Sequence, residues 1–202
     1  MMKTIVKDTL ALVAITLVAA ICLSFVHELT AETIAAAEAE ERQASYREVF
    51  PDAAEFTAIE NLENLTAAAN LSAGVSIGEA LTARDSNGDM LGYVVSVTSA
   101  NGYGGDIVLS VGFDEWGVIT GMKVTSMSET SGLGSHCTDK EFSNQFIGIS
   151  DKVVYTKNGK SAPNEIDMIS GATFTTSAVT EAVNGARSLV NVMGVRDDED
   201  DA

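Results

Sequence analysis

The sequence predicts an α+β domain, a mainly antiparallel sheet flanked by helices, behind a single N-terminal transmembrane helix. Three observations carry that expectation: an uncharged apolar run near the N-terminus, a middle region of short β-branched segments parted by turn residues, and apolar residues at helical spacing near the end. A chain of 202 residues holds one ordinary domain of roughly 150 residues plus an appendage. That is long enough to bury a core without disulfides or metals.

The appendage comes first. From Thr9 to Val26 the chain runs about 18 residues without a charge, near the lower limit for spanning a bilayer as a helix. Lys3 and Lys7 precede the run, and His27, Glu28 and Glu32 follow it. The bias of positive charge toward the cytoplasm then predicts a cytoplasmic N-terminus and an extracytoplasmic remainder in the cell membrane. A basic start and an apolar run also mark a cleaved signal sequence. This run is longer than a usual signal core and no compact A-x-A site follows closely, which favours a retained anchor. Ala19-Ala20-Ile21 before Cys22 is a poor lipoprotein signal, because bulky Ile21 stands where a small residue is expected.

After the anchor, Thr33 to Val49 reads as a helix of strong formers stopped by Pro51. Asp52 to Gly74 carries weaker signals for a short strand or helix. Ala80–Ala83 and Leu91–Thr98, joined by the turn Asp85-Ser86-Asn87-Gly88, read as a hairpin. Asp106–Phe113 and Val118–Thr125 make a second hairpin around Asp114–Gly117. The loop SETSGLGSHCTD follows, then a helical stretch around Glu141 to Phe146 and a strand over Lys152–Thr156. The last helix, SAVTEAVNGARSLVNVM, puts Val179, Val183, Ala186, Val190 and Met193 on one face, with Gly194 as its stop. The expected domains are an N-terminus and anchor over 1–30, a helical linker over 31–74, the α+β domain over 75–195 and an acidic, disordered tail over 196–202.

Charge and cysteine content narrow the function. A net charge of −17 repels phosphate backbones and argues against nucleic acid as a partner. The two cysteines, Cys22 and Cys137, are too few for a cysteine zinc site or a protein-borne iron–sulfur cluster, which take about four ligands. His136 beside Cys137 is weak evidence for a metal. If the chain carries electrons, the carrier is something other than its own metal centre.

Two segments have compositions unusual for a core or a plain surface. SETSGLG, Ser128 to Gly134, has glycines spaced for close backbone approach, as a loop over a flat ligand needs; an ordinary irregular connection reads the same way. DMISGATFTT, Asp167 to Thr176, gathers hydroxyls around Gly171-Ala172 at a helix entrance. Free N–H groups and the helix dipole stabilise a phosphate there. Capping needs only one hydroxyl, so the surplus points to a phosphorylated ligand.

Asp167-Met168-Ile169-Ser170-Gly171-Ala172-Thr173 resembles the D-x-x-S-G-A-T flavinylation motif of FMN-binding domains. GYGGDIVLSVGFDEWGVITGMKV (Gly102–Val124), SETSGLG and FSNQFIG (Phe142–Gly148) resemble that family's further segments in the same order, with Ser131 where proline is usual. With the single anchor, the arrangement resembles the G subunit of Rnf-type ion-translocating electron transport complexes. The resemblance implies FMN as a covalent cofactor, donated from FAD by a flavin transferase and esterified through its phosphate to Thr173. It further implies that Ser170, Gly171, Ala172, Thr175 and Thr176 cradle the phosphate, that Glu129, Thr130, Leu133 and Gly134 lie near the flavin ring, and that Asp167 serves recognition by the transferase. Implied partners are the membrane and peripheral subunits of the complex, the transferase, and membrane lipid around the anchor. The implied function is electron transfer in a complex coupling ferredoxin/NAD chemistry to ion transport. Competing readings are the flavin subunit of a Na+-translocating NADH:quinone oxidoreductase, a stand-alone extracytoplasmic flavin carrier, and an anchored binding or sensor domain in which Thr173 only caps a helix.

Overall fold

The computed structural model describes residues 2–194; the acidic stretch expected at 196–202 lies outside them. Helix α1 spans Met2–Val49 and stops just before Pro51, as the missing N–H of proline requires. The chain divides into two compact units, Met1–Glu41 and Arg42–Ala202. The first is helical, with Ile5, Leu10, Ile15, Leu23 and Phe25 all exposed. It carries the one helix among the described residues that is long and apolar enough to cross a membrane.

The second unit contains β1 (Glu55–Ala58), α2 (Leu62–Ala68), β2 (Val75–Arg84), β3 (Met90–Ser99), β4 (Ile107–Asp114), β5 (Ile119–Ser126), α3 (Lys140–Ser143), β6 (Val154–Thr156), β7 (Glu165–Asp167) and α4 (Thr173–Met193). The first five strands form one antiparallel meander in sequence order. Both expected hairpins are present, with Val95 opposite Val111 and Val111 opposite Met122 at the centre. From the stretch read as a helical linker, β1 pairs with β2, and Leu62 and Leu65 of α2 pack against the main core. A parallel pair, β6–β7, stands apart.

Alternation along the strands sorts the two faces. Val95, Val97, Leu109, Val111 and Phe113 turn to one side, where α4 covers them with Val179, Val183, Ala186 and Val190. Fully burying a Val or Leu contributes about 1.5–3 kcal/mol each, so this seam is the main support of α4. Val94 and Leu81 turn to the other side, where the end of α1 (Tyr46, Val49) and Phe50 cover them. Small residues admit that helix end: a Cβ at Gly112 would collide with Val49, and Ser45 Oγ meets Ser110 Oγ at 2.8 Å. Burial, with Glu79 as acceptor, pushes the Tyr46 phenol up.

Helix α4 is fixed near its C-terminal half by Arg187. The buried guanidinium donates to the carbonyl oxygens of Ser150 (2.6 Å), Ile149 (2.7 Å) and Gly117 (3.2 Å) and lies 5.7 Å from the centre of the Phe113 ring. Gly194, with φ 85°, ends the helix.

Candidate functional site

The last helix begins four residues earlier than its apolar spacing indicates, at Thr173 rather than Ser177. Threonine and phenylalanine are weak helix formers, which hid this first turn. A reverse turn feeds it: Ala172 N–H donates to Ile169 O at 3.0 Å, and Gly171 at the third position has φ +77°. That conformation is strained for residues with a Cβ, which accounts for the glycine. The N-cap is Ala172, which has no side-chain oxygen, and the first intrahelical bond is Thr176 N–H to Ala172 O at 3.0 Å. The N–H groups of Thr173, Phe174 and Thr175 therefore have no partner within the helix.

The hydroxyls of the motif divide sharply. Thr176 is fully buried; its Oγ1 accepts from Ile169 N–H (3.1 Å) and donates to Ala172 O (2.9 Å). It braces the turn with both of these bonds. Thr175 is also buried, and its hydroxyl donates to Glu129 Oε2 at 2.6 Å. Thr173 is half-buried, and its hydroxyl has no hydrogen bond among the described residues.

Glu129 draws three segments together. Its Oε1 accepts from Gly104 N–H at 3.0 Å, in the glycine-rich turn between β3 and β4, while Oε2 accepts a hydrogen bond from the Thr175 hydroxyl at 2.6 Å. The glycines nearby are required by space. A Cβ on Gly134 would run into Glu129 Oε2 and Thr175 Oγ1, and one on Gly104 into Ser128 O. The loop read as a cover for a ligand thus has a packing reason for Gly134, while Gly132 sits at φ +75° with open space around it. It continues into a 3₁₀ turn, Gly134–Thr138, whose Cys137 is fully buried. Burial, and after it the nearby Glu129 charge, push that thiol up to about 11.

Thr173 opens into a cleft of about 450 Å³ lined by Glu129, Thr130, Leu133, Gly134 and the start of α4 from Gly171 to Thr175. The volume is within the range of roughly 300–1,000 Å³ seen for cofactor pockets. Two lining residues were not legible in the sequence: Tyr103 and Phe174, 72% and 67% exposed, whose rings lie 6.5 Å apart. Their signal was an aromatic inside a glycine turn and another directly after the motif threonine. With half-exposed Leu133 they give the cleft an apolar wall, the two rings tilted by 41°.

Asp167 and Ser170 are placed elsewhere. Both are exposed and line a larger neighbouring cleft of about 750 Å³ with His136, Asp139, Gln145 and Lys160. The backbone of Asp167 is held by Gln145, which accepts from its N–H at 2.7 Å. Ser170 thus faces this neighbouring cleft, one residue before Gly171 of the Thr173 cleft. His136 pairs with Asp139 (2.7 Å) while Cys137 points into the core, so the two neighbours diverge.

Residues 102–188 match the FMN-binding domain family, and residues 1–49 match the RnfG N-terminal region. The chain is 33% identical over 187 residues to the G subunit of the Na(+)-translocating ferredoxin:NAD(+) oxidoreductase complex of Acetobacterium woodii, covering 90% of this chain and 89% of that one. It is 31% identical over 191 residues to the G subunit of the ion-translocating oxidoreductase complex of Methanosarcina acetivorans, covering 94% and 96%. The crystal structure of NqrC from Shewanella oneidensis shares the fold, with a TM-score of 0.52 at 20% identity over 72% of this chain and 86% of that one. A membrane-type N-terminal helix, an FMN-binding domain and similarity along nearly the whole chain to these relatives lead to one conclusion: the chain belongs to the RnfG family, the G subunits of ion-translocating oxidoreductase complexes.

Proposed function

We propose that this chain is the membrane-anchored flavoprotein subunit of such a complex, carrying electrons on an FMN joined to Thr173 by a phosphoester. The observation that supports attachment there is the division of hydroxyls. Thr175 and Thr176 are committed to internal bonds, and Thr173 alone among the motif threonines offers an unpartnered hydroxyl to the cleft. The N–H groups of the first turn and the positive end of the helix dipole favour the phosphate. Thr130, Leu133 and Gly134, with Tyr103 and Phe174, give an extended ring a wall to lie against. When bound, FMN supplies the redox chemistry; the protein supplies attachment, orientation and electrostatics.

The transferase takes FMN from FAD, and Asp167, exposed and clear of the Thr173 cleft, is suited to contact that enzyme. The complex links ferredoxin and NAD chemistry to ion transport through its other membrane and peripheral subunits. Lys3 and Lys7 ahead of the apolar run favour a cytoplasmic N-terminus, with the FMN domain outside.

Attachment is tested by co-expression with a flavin transferase, denaturing electrophoresis and in-gel fluorescence. The wild-type band fluoresces and the Thr173→Ala band does not; a fluorescent Thr173→Ala band refutes the site. Sidedness is tested with a cysteine at exposed Lys157. An impermeant maleimide labels Lys157→Cys in intact spheroplasts, and labelling only after lysis reverses the topology.

A further inference from the structure

We propose that Glu129 sets how readily the FMN in the Thr173 cleft accepts electrons, acting as an anionic side chain held in place by the fold. The inference rests on the FMN reading of the cleft. Three observations carry it.

First, the carboxylate is immobilised. Both oxygens are engaged, Oε1 by Gly104 N–H at 3.0 Å and Oε2 by Thr175 Oγ1 at 2.6 Å, and these partners come from two different segments. Second, neighbouring backbone is packed closely against it. A Cβ on Gly102 would come within 2.7 Å of Oε1, and one on Gly134 would meet both Oε2 and Thr175 Oγ1. Two glycine-bearing motifs are thus shaped around this one side chain, which faces the cleft while its carboxylate is held by both bonds. Third, it is uncompensated within the cleft: no Lys, Arg or His is among the lining residues, and its two donors are uncharged. Its field also reaches Cys137, where it adds to the effect of burial.

A charge that can neither move away nor be screened by a nearby cation acts strongly on its surroundings. Were FMN held in this cleft, it would supply the redox chemistry, and Glu129 would present a fixed negative charge to any electron added there without a proton. The fixed carboxylate would oppose that addition and hold the reduction equilibrium toward the oxidised form. The same bonds make Glu129 a positioning residue, because they tie the turn carrying Tyr103 to the helix carrying Thr173.

The test uses the full chain, flavinylated by co-expression with its transferase and purified in detergent. Flavin content is read first by in-gel fluorescence; a wild type without flavin overturns the FMN reading and this inference with it. The midpoint potential is then measured by dithionite titration against a reference dye. Glu129→Gln is expected to shift the equilibrium toward reduction by about tenfold or more, the scale of one unit charge acting over several ångström at an effective dielectric near 20. Glu129→Asp, which keeps the charge, is expected to stay close to wild type. A flavinylated Glu129→Gln with an unmoved potential overturns the proposal, and so does an Asp variant that moves as far as the Gln variant. If Glu129→Gln does not fold, Thr130→Lys takes its place, since Thr130 is exposed on the same wall. The added cation must raise the potential, and an unchanged value overturns the proposal.

Discussion

Replacing Thr173 and Thr176 separately by valine is expected to split chemistry from stability. Valine nearly matches threonine in shape, so each change removes a hydroxyl and little else. At position 176 the loss is structural. Ile169 N–H, which donates to Thr176 Oγ1 at 3.1 Å, is left buried without an acceptor. Ala172 O loses the hydroxyl at 2.9 Å but keeps Thr176 N–H at 3.0 Å. An orphaned buried N–H costs about 1–3 kcal/mol. Taking about 2 kcal/mol, and roughly 2–4 °C of melting temperature per kcal/mol at this size, Thr176→Val is expected to melt about 4–8 °C lower. At position 173 the hydroxyl has no partner to lose, so Thr173→Val should stay within about 0.5 kcal/mol of wild type. The assay pairs thermal unfolding of the detergent-solubilised chain, before flavin attachment, with in-gel flavin fluorescence afterwards. Thr176→Val keeps its fluorescence and melts early; Thr173→Val melts normally and is dark. Fluorescence surviving in Thr173→Val, or a wild-type melting temperature in Thr176→Val, refutes the division of roles.

Gly134→Ala forces a methyl group against Glu129 Oε2 and Thr175 Oγ1. It is expected to lose about 1–3 kcal/mol, as for overpacking elsewhere, with a lower yield of flavinylated protein; unchanged melting and fluorescence would contradict the packing. The Cys137 thiol, raised from 9.0 to about 11 by burial and then by Glu129, stays protonated in the fold where an unfolded chain would ionise. Its contribution to stability is complete below pH 9 and is lost as pH rises through about 11, so the wild-type urea midpoint should fall more steeply across that interval than that of Cys137→Ser. Parallel curves for the two proteins would remove the effect.

The hairpins were legible because their signals are local: alternating β-branched residues on either side of Asp85–Gly88 and Asp114–Gly117. The end of α1 was legible from Pro51. The pairing of β6 with β7 was not, because the three residues Glu165–Asp167 carry no pattern of their own and pair only through the tertiary fold. At the site, the motif located the helix entrance, but composition could not say which hydroxyls were committed. Ser170, Thr175 and Thr176 look alike in sequence, yet one faces a different cleft and two are buried in internal bonds. Tyr103 and Phe174 were missed because they lie about 70 positions apart and meet only when Glu129 draws the β3–β4 turn to α4.

Helix α4 is held at both ends, by the Thr176 brace at its entrance and by Arg187 reaching three backbone carbonyls further along. A helix moored twice cannot slide or swivel against the sheet without breaking buried hydrogen bonds. The oxygen of Thr173 is accordingly a stationary hinge pin within its domain. A group esterified there travels no farther than rotation about its own tether allows, unless the domain moves as a body. For the proposed Thr173-linked FMN, the distance to an electron donor or acceptor would then be a matter of tether length and domain displacement, with the attachment point fixed within its domain.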